Sequence, residues 1–235
     1  SSLMSYSNIL QFRYLMPELP KPDLFVNLIG VNDLQLALKS SYLPDMTEEI
    51  HMSWTFSQRP TEDDFWRDFG WVRFYDRMVN WYRKSNVGVL QTYHAGGYDT
   101  WRECRRTAPR ENLHPLPEMG NAVQRYQDNL RKIINFARQN DAPMVFLTQP
   151  TIWSANMRPE DEDILLAAGV GPNNEWCERK EYFSPAAMAD GMDKYNAALL
   201  QICKEENLFC IDLAAEVPKS RKYFMDDMHL NEAGA

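Results

Sequence analysis

The chain has 235 residues, 44% hydrophobic and 25% charged, the balance of a globular protein long enough for one sizeable core. Its net charge of −8 lacks the basic footprint of a nucleic-acid binder and disfavours anionic membrane surfaces. No apolar run approaches the roughly 18–20 residues of a membrane helix, and the opening residues Ser1-Ser2-Leu3-Met4 already read as mid-domain, so the compartment is left open.

Ile9, Leu10, Phe12, Leu15 and Met16 recur at helical spacing and predict a helix over 6–18, ended by Pro20 and Pro22. Residues 24–29 form a continuous apolar run, the pattern of a parallel strand covered on both faces. A short helix follows through Leu34-Gln35-Leu36-Ala37-Leu38. Residues 41–118 hold five of the seven tryptophans and read as an insertion on the core fold. Within it, Phe65, Phe69, Val72, Met78, Val79 and Tyr82 predict a helix over 62–84 with Thr61 as N-cap, followed by loops through Gly96-Gly97.

Alternation then becomes regular. Val123, Tyr126, Leu130, Ile133, Ile134 and Ala137 mark a helix over 120–139, and Met144-Val145-Phe146-Leu147 a buried strand. A long loop over 151–183 leads to Ser184-Pro185, an N-cap with proline at the first helical position, and a helix to about 206. Leu208-Phe209-Cys210-Ile211 is a last short strand with Asp212 at its end. Strands alternating with helices imply a mainly parallel sheet covered on both faces, which binds ligands beyond the carboxyl ends of its strands.

The four cysteines have no C-x-x-C spacing, so a zinc site is not expected. Cys203 and Cys210 read as small buried apolar residues. Cys104 and Cys177, in loop-like segments, are the two that could pair in an oxidising compartment.

Two segments carry chemistry. Gly30-Val31-Asn32-Asp33 directly follows the first strand, and Asp226-Asp227-Met228-His229-Leu230-Asn231-Glu232-Ala233-Gly234 closes the chain. An Asp three residues before a His can orient the imidazole as a general base, and an amide at a strand's carboxyl end can stabilise an oxyanion. Taken singly, Asn32-Asp33 is a turn and His229 a loop histidine. Asp33 reads as a cap of the following helix, Asp227 as a solvated neighbour, and Tyr223-Phe224 as a pair that packs the loop down. His94 beside Gly96-Gly97 reads as a plain turn, and Arg102, Arg105, Arg106 and Arg110 as a solvated face.

A strand, then G-x-N-D, then a late D-x-x-H-x-N-x-x-G resembles the SGNH (GDSL-type) hydrolases. The likeness extends to Pro22-Asp23, to Phe146-Leu147-Thr148-Gln149-Pro150 and to Phe183-Ser184-Pro185. It implies an α/β fold, a single three-layer α/β/α sandwich of flavodoxin-like type over 1–235 with a mainly parallel sheet. It also implies a serine ester hydrolase with Asp226 and His229 in a Ser-His-Asp triad, Asn32 in the oxyanion hole and Gly30 at the substrate. No metal or organic cofactor is required. The implied substrate is a small-molecule, carbohydrate or lipid ester, and the aromatic insertion suits a lid, the surface of a homo-oligomer or a satellite core.

The family's G-D-S nucleophile segment is absent. Ser1, Ser2, Ser5 and Ser7 do not sit in it. The resemblance therefore expects the serine upstream of Ser1 and a last helix after Gly234, with the fold truncated at both ends by ~30–60 residues at its start. A catalytically silent binding module on the same fold, or an acyltransferase, is the alternative.

Overall fold

The computed structural model of the protein describes residues 4–18, 20–39, 51, 55, 97–107, 113–170 and 181–235. The first helix, α1, spans Ser5–Tyr14 and passes into a 3₁₀ turn at Met16–Glu18. Strand β1 (Phe25–Leu28) leads through Gly30 into α2 (Val31–Lys39). From the insertion come α3 (Gly97–Thr107) and β2 (Leu113–His114). Then follow α4 (Gly120–Gln139), β3 (Met144–Leu147), the short α5 (Pro159–Glu162), β4 (Tyr182–Phe183) and α6 (Pro185–Glu205). Strand β5 (Cys210–Ile211) and α7 (Leu213–Glu216) precede the terminal loop.

The main sheet has the order β1-β3-β5, all parallel, with Asn27 beside Phe146 and Phe146 beside Cys210. The side-chain period of two divides it into unlike faces. Phe25, Met144, Phe146 and Cys210 join the core formed with α1, α2, α4 and α6. Phe12 of α1 meets Phe25 edge-on at 4.7 Å and stacks on Phe136 of α4 at 5.3 Å. The other face carries Val26, Leu28 and Ile211, which are 61%, 44% and 39% exposed. Among the described residues the helices pack on one face, because the apolar stripes of α4 and α6 must share a single core.

The long helices form where the spacing places them. In α4 the buried residues Tyr126, Leu130, Ile133, Ile134 and Ala137 lie three or four apart, and in α6 Met188, Met192, Tyr195, Leu199 and Ile202 do the same. Ser184 caps α6 by accepting the Ala187 N–H at 3.0 Å, ahead of Pro185. Both helices end on a polar residue with left-handed backbone, Asp141 (φ 52°) and Asn207 (φ 52°). The next residue then bonds back across the last turn, Ala142 N to Ala137 O at 3.0 Å and Leu208 N to Cys203 O at 2.9 Å.

The cysteines depart from the sequence reading. Cys203 and Cys210 are joined in a disulfide, seven residues apart, which staples the end of α6 to β5. Cys104, expected in a loop, lies on α3 and is also disulfide-bonded. The helical Schellman-type turn at Asn207 brings Cys210 back against the helix face that carries Cys203. Such bonds persist in oxidising compartments. The expected helix over 62–84, its N-cap Thr61, His94, Arg110 and Cys177 lie outside the described residues.

The staple closes a short loop, and the chain-entropy account assigns it about 2–3 kcal/mol. Replacing both Cys203 and Cys210 by serine should lower the unfolding free energy by about that amount, read in urea titrations of the wild type and the variant.

Candidate active site

Beyond the carboxyl ends of the strands lies a cleft of about 910 Å³. Gly30, Asn32, Asp226 and His229 all line it. Gly30 has φ +137°, and a Cβ there would come within 3.0 Å of Met192 Cε. Both facts favour glycine where β1 turns into α2. Its carbonyl accepts the Leu34 N–H at 2.9 Å and starts the helix. The visible work of Gly30 is thus to set the backbone at the edge of the cleft. Asn32 sits in the first turn of α2 and enters the cleft wall from there.

Asp33 does not cap its own helix, which has already begun at Val31. Its carboxylate instead accepts the N–H of Ser5, at 2.9 and 3.2 Å, and the Ser5 hydroxyl at 2.5 Å. It so caps α1 from another element. Asn129 of α4 donates to the same Ser5 Oγ at 2.9 Å. Burial raises the Asp33 carboxyl to about 6 in spite of the two groups of Ser5 that donate to it. Ser5 and Ser7 are both buried and do not line the cleft. No serine, threonine or cysteine is found among the described residues that do.

The terminal loop supplies the imidazole. His229 Nδ1 lies 2.7 Å from Asp226 Oδ2. The other oxygen, Oδ1, accepts the N–H groups of Met228 (3.0 Å) and His229 (2.9 Å). Burial alone would raise the Asp226 carboxyl, but these donors hold it below its ordinary value. An ionised Asp226 makes Nδ1 the donor and leaves the Nε2 lone pair of neutral His229 as the base. The hydrogen bond to Asp226 raises the His229 pKa, against the opposing effect of burial.

Asp227 is not a solvated neighbour. It is 0% exposed. Its carboxylate accepts Trp153 Nε1 at 2.8 Å, the Ala167 N–H at 3.0 Å and the Leu166 N–H. Burial raises its pKa while these three donors oppose the rise. Two adjacent buried aspartates therefore take different partners, one the imidazole and the other the donors at 153, 166 and 167. The spacing separates their roles but does not reveal that the partner aspartate is buried. The indole of Trp153, fully enclosed, was the signal that a buried acceptor must exist.

The surrounding loops are welded together. Ile152 N donates to Asp227 O at 3.0 Å, Lys219 Nζ to Trp153 O at 2.9 Å, and Arg221 N to Asp161 Oδ1 at 2.7 Å. Phe224 is buried and bridges Leu230, as its place before the loop suggested. Asn231 holds the loop's end: Nδ2 donates to Lys222 O at 3.0 Å, and Oδ1 accepts the Ala233 and Gly234 N–H groups at 3.0 and 3.2 Å. A Cβ on Gly234 would meet Tyr223 O at 2.2 Å, so the chain passes there only as glycine. The arginines of α3 are not merely a solvated face. Arg102 donates to Met225 O at 2.6 Å, one residue before Asp226, and the Arg105 guanidinium lies 3.6 Å from the centre of the Tyr182 ring. Arg106 pairs with Glu103 on the surface.

No protein-family model matches the chain, and no curated protein matches it.

Two outcomes are expected. Asp227→Ala strands three buried donors, at about 1–3 kcal/mol each, and should lower the unfolding free energy by about 3 kcal/mol or more. Chemical denaturation reads this, and a change within experimental scatter would refute the burial. For the neighbouring pair, His229 with its raised pKa contributes stability below its unfolded value of 6.5, lost as pH rises through the folded one. Asp226 with its depressed pKa contributes above 3.8, lost as pH falls through the folded value. The pair is thus most stabilising between roughly pH 4 and 6.5. Asp226→Asn should return the His229 titration to 6.5 or below, measured by NMR of the ring protons.

Proposed function

We propose that the protein is a serine ester hydrolase of the SGNH type. The observation that carries this reading is the 2.7 Å Asp226–His229 pair in the same cleft as Asn32, at the carboxyl edge of a parallel sheet. The nucleophile is a serine outside the described residues, which the resemblance puts ahead of Ser1. The same reading completes the fold as a three-layer sandwich, with a second helical layer over the face of Val26, Leu28 and Ile211.

Each residue then has one task. His229 Nε2 takes the serine proton as the hydroxyl oxygen attacks the acyl carbon. Asp226 keeps the ring in the tautomer that can do so and stabilises the imidazolium. The Asn32 amide donates to the oxyanion of the tetrahedral intermediate. On collapse of that intermediate the ester C–O bond breaks and His229 returns its proton to the departing alcohol. Water then repeats the cycle on the acyl-serine and releases the acid. Gly30 gives the backbone room beside the substrate.

The test uses the full-length protein with p-nitrophenyl esters and a serine-directed fluorophosphonate. Turnover and labelling are expected, both lost in His229→Ala. His229→Ala should reduce kcat by about 10³–10⁶ and Asn32→Ala by about 10²–10³, with Asp226→Asn falling below the first. A full-length protein that neither turns over these esters nor takes the label would leave a binding module in place of an enzyme. Turnover that survives in His229→Ala would refute the assigned base.

A further inference from the structure

The loop that carries His229 closes on itself: Met225 N donates to the His229 carbonyl at 2.8 Å, and Phe224 bridges Leu230. Its two sides differ in exposure. Asp227 is 0% exposed and tied to the loop from 151 to 167, whereas Met225 is 46% exposed. At Met225 a bond arrives from another element. Arg102 of α3, 123 residues away in the chain, donates from its guanidinium to Met225 O at 2.6 Å. Arg102 does not line the cleft.

The helix α3 is a secured support for that arm. Arg105 stands one turn further along the helix, with its guanidinium 3.6 Å from the centre of the Tyr182 ring, and Tyr182 is buried. Cys104, between the two arginines, is disulfide-bonded. A hydrogen bond from a guanidinium to a carbonyl is charge-assisted and roughly twice as strong as a neutral one. The carbonyl it takes is next to the site. Met225 O belongs to the peptide group whose nitrogen is that of Asp226, and a peptide group is planar. With its oxygen held by Arg102 and Met225 N held on the His229 carbonyl, the plane is fixed, and Asp226 leaves it in a set direction. The Asp226 carboxylate in turn holds His229 Nδ1 at 2.7 Å.

We propose that Arg102 is a positioning residue for the His229 imidazole: it holds the carbonyl of the Met225–Asp226 peptide, and through that peptide the Asp226 carboxylate that orients the ring. For the proton that His229 moves, this rests on the hydrolase reading above. For the ring itself it rests on the Arg102 bond and the planar peptide it grips. A small turn of that peptide spoils the angle of the Asp226–His229 hydrogen bond and frees the imidazole to take its other tautomer. A displacement of ~1 Å at a reacting group costs about 10²-fold in rate.

Arg102→Met keeps the apolar stem and removes the donors, whereas Arg102→Lys keeps a charged donor on a similar stem. In the full-length protein Arg102→Met should lower kcat on p-nitrophenyl acetate by about 10–10²-fold with KM unchanged. Arg102→Lys should recover most of that loss. Arg106→Ala, whose arginine pairs with Glu103 of its own helix, should match the wild type. The second readout needs no turnover. Nitrogen NMR of labelled histidine reports which ring nitrogen carries the proton, and His229→Ala assigns the His229 signals. The neutral ring should be protonated at Nδ1 in the wild type and in Arg102→Lys, and should shift toward the Nε2-protonated form in Arg102→Met. Wild-type kcat together with wild-type ring signals in Arg102→Met overturns the proposal and leaves the hydrolase standing. So does a loss of kcat that Arg102→Lys fails to recover while the ring signals stay in place. Ring signals that move in Arg102→Met, in a protein without ester turnover, remove the hydrolase and keep Arg102 as the residue that positions the imidazole.

Discussion

The Asp227 carboxylate, sealed from solvent, is the point on which the geometry of the cleft turns. It gathers an indole N–H and two backbone N–H groups from residues sixty or more positions earlier in the chain. A buried carboxylate without these donors would be untenable, and the donors without it would be orphaned. The arrangement is therefore all or none, and it fixes the loop from 151 to 167 against the loop that carries His229. With Asp227 turned inward, its neighbour Asp226, also buried, gives one oxygen to the imidazole and the other to the backbone N–H groups of 228 and 229. Orientation of the His229 imidazole follows from the burial of a residue that makes no hydrogen bond to it.

The sheet sets the other wall. Parallel strands end together at one edge, and β1 leaves that edge through a glycine whose backbone suits no other residue well. Thr148, next after β3, donates to Asp212 at 2.8 Å and accepts the Ala214 N–H at 2.9 Å, and Asn196 of α6 bonds both polar groups of the Gln149 backbone. The strand ends are thus tied to the helix layer by side chains rather than left to solvent.

Much of this could be read from sequence, for a physical reason. The bounds of α4 and β3, the Ser184 cap and the start of α6 were legible because each is a local signal: apolar spacing, a capping side chain, a proline at the first turn. The pairing of Asp226 with His229 was legible because three residues separate them and the contact is local too. What escaped was non-local. Asp33 caps α1 across 28 residues, and Asp227 meets donors 60 to 74 residues away, so neither partner could be inferred from spacing. The Cys203–Cys210 bond escaped because a helix face and a strand look separately apolar, and only the turn at Asn207 brings them together.

Three features that do little for stability lie in or next to the cleft. Gly30 holds a positive φ there, Asn27 keeps an unpaired amide beside Phe146, and Asp33 carries a carboxyl that burial pushes to about 6. Elsewhere among the described residues Ser184 caps α6 and the stripes of α4 and α6 are apolar, while Ala168 also holds a positive φ of 72° and His51 Nδ1 also lacks a partner. Departures from those rules, when concentrated at one place, mark where a chain does something other than fold. The three departures also differ in kind. The glycine concerns backbone shape, the amide an unmet hydrogen bond, and the carboxyl a charge held in poor solvent. No single packing defect explains all of them. Asp33 acts at one remove, since it fixes the start of α1, and α1 carries Asn8 and Gln11 into the same cleft.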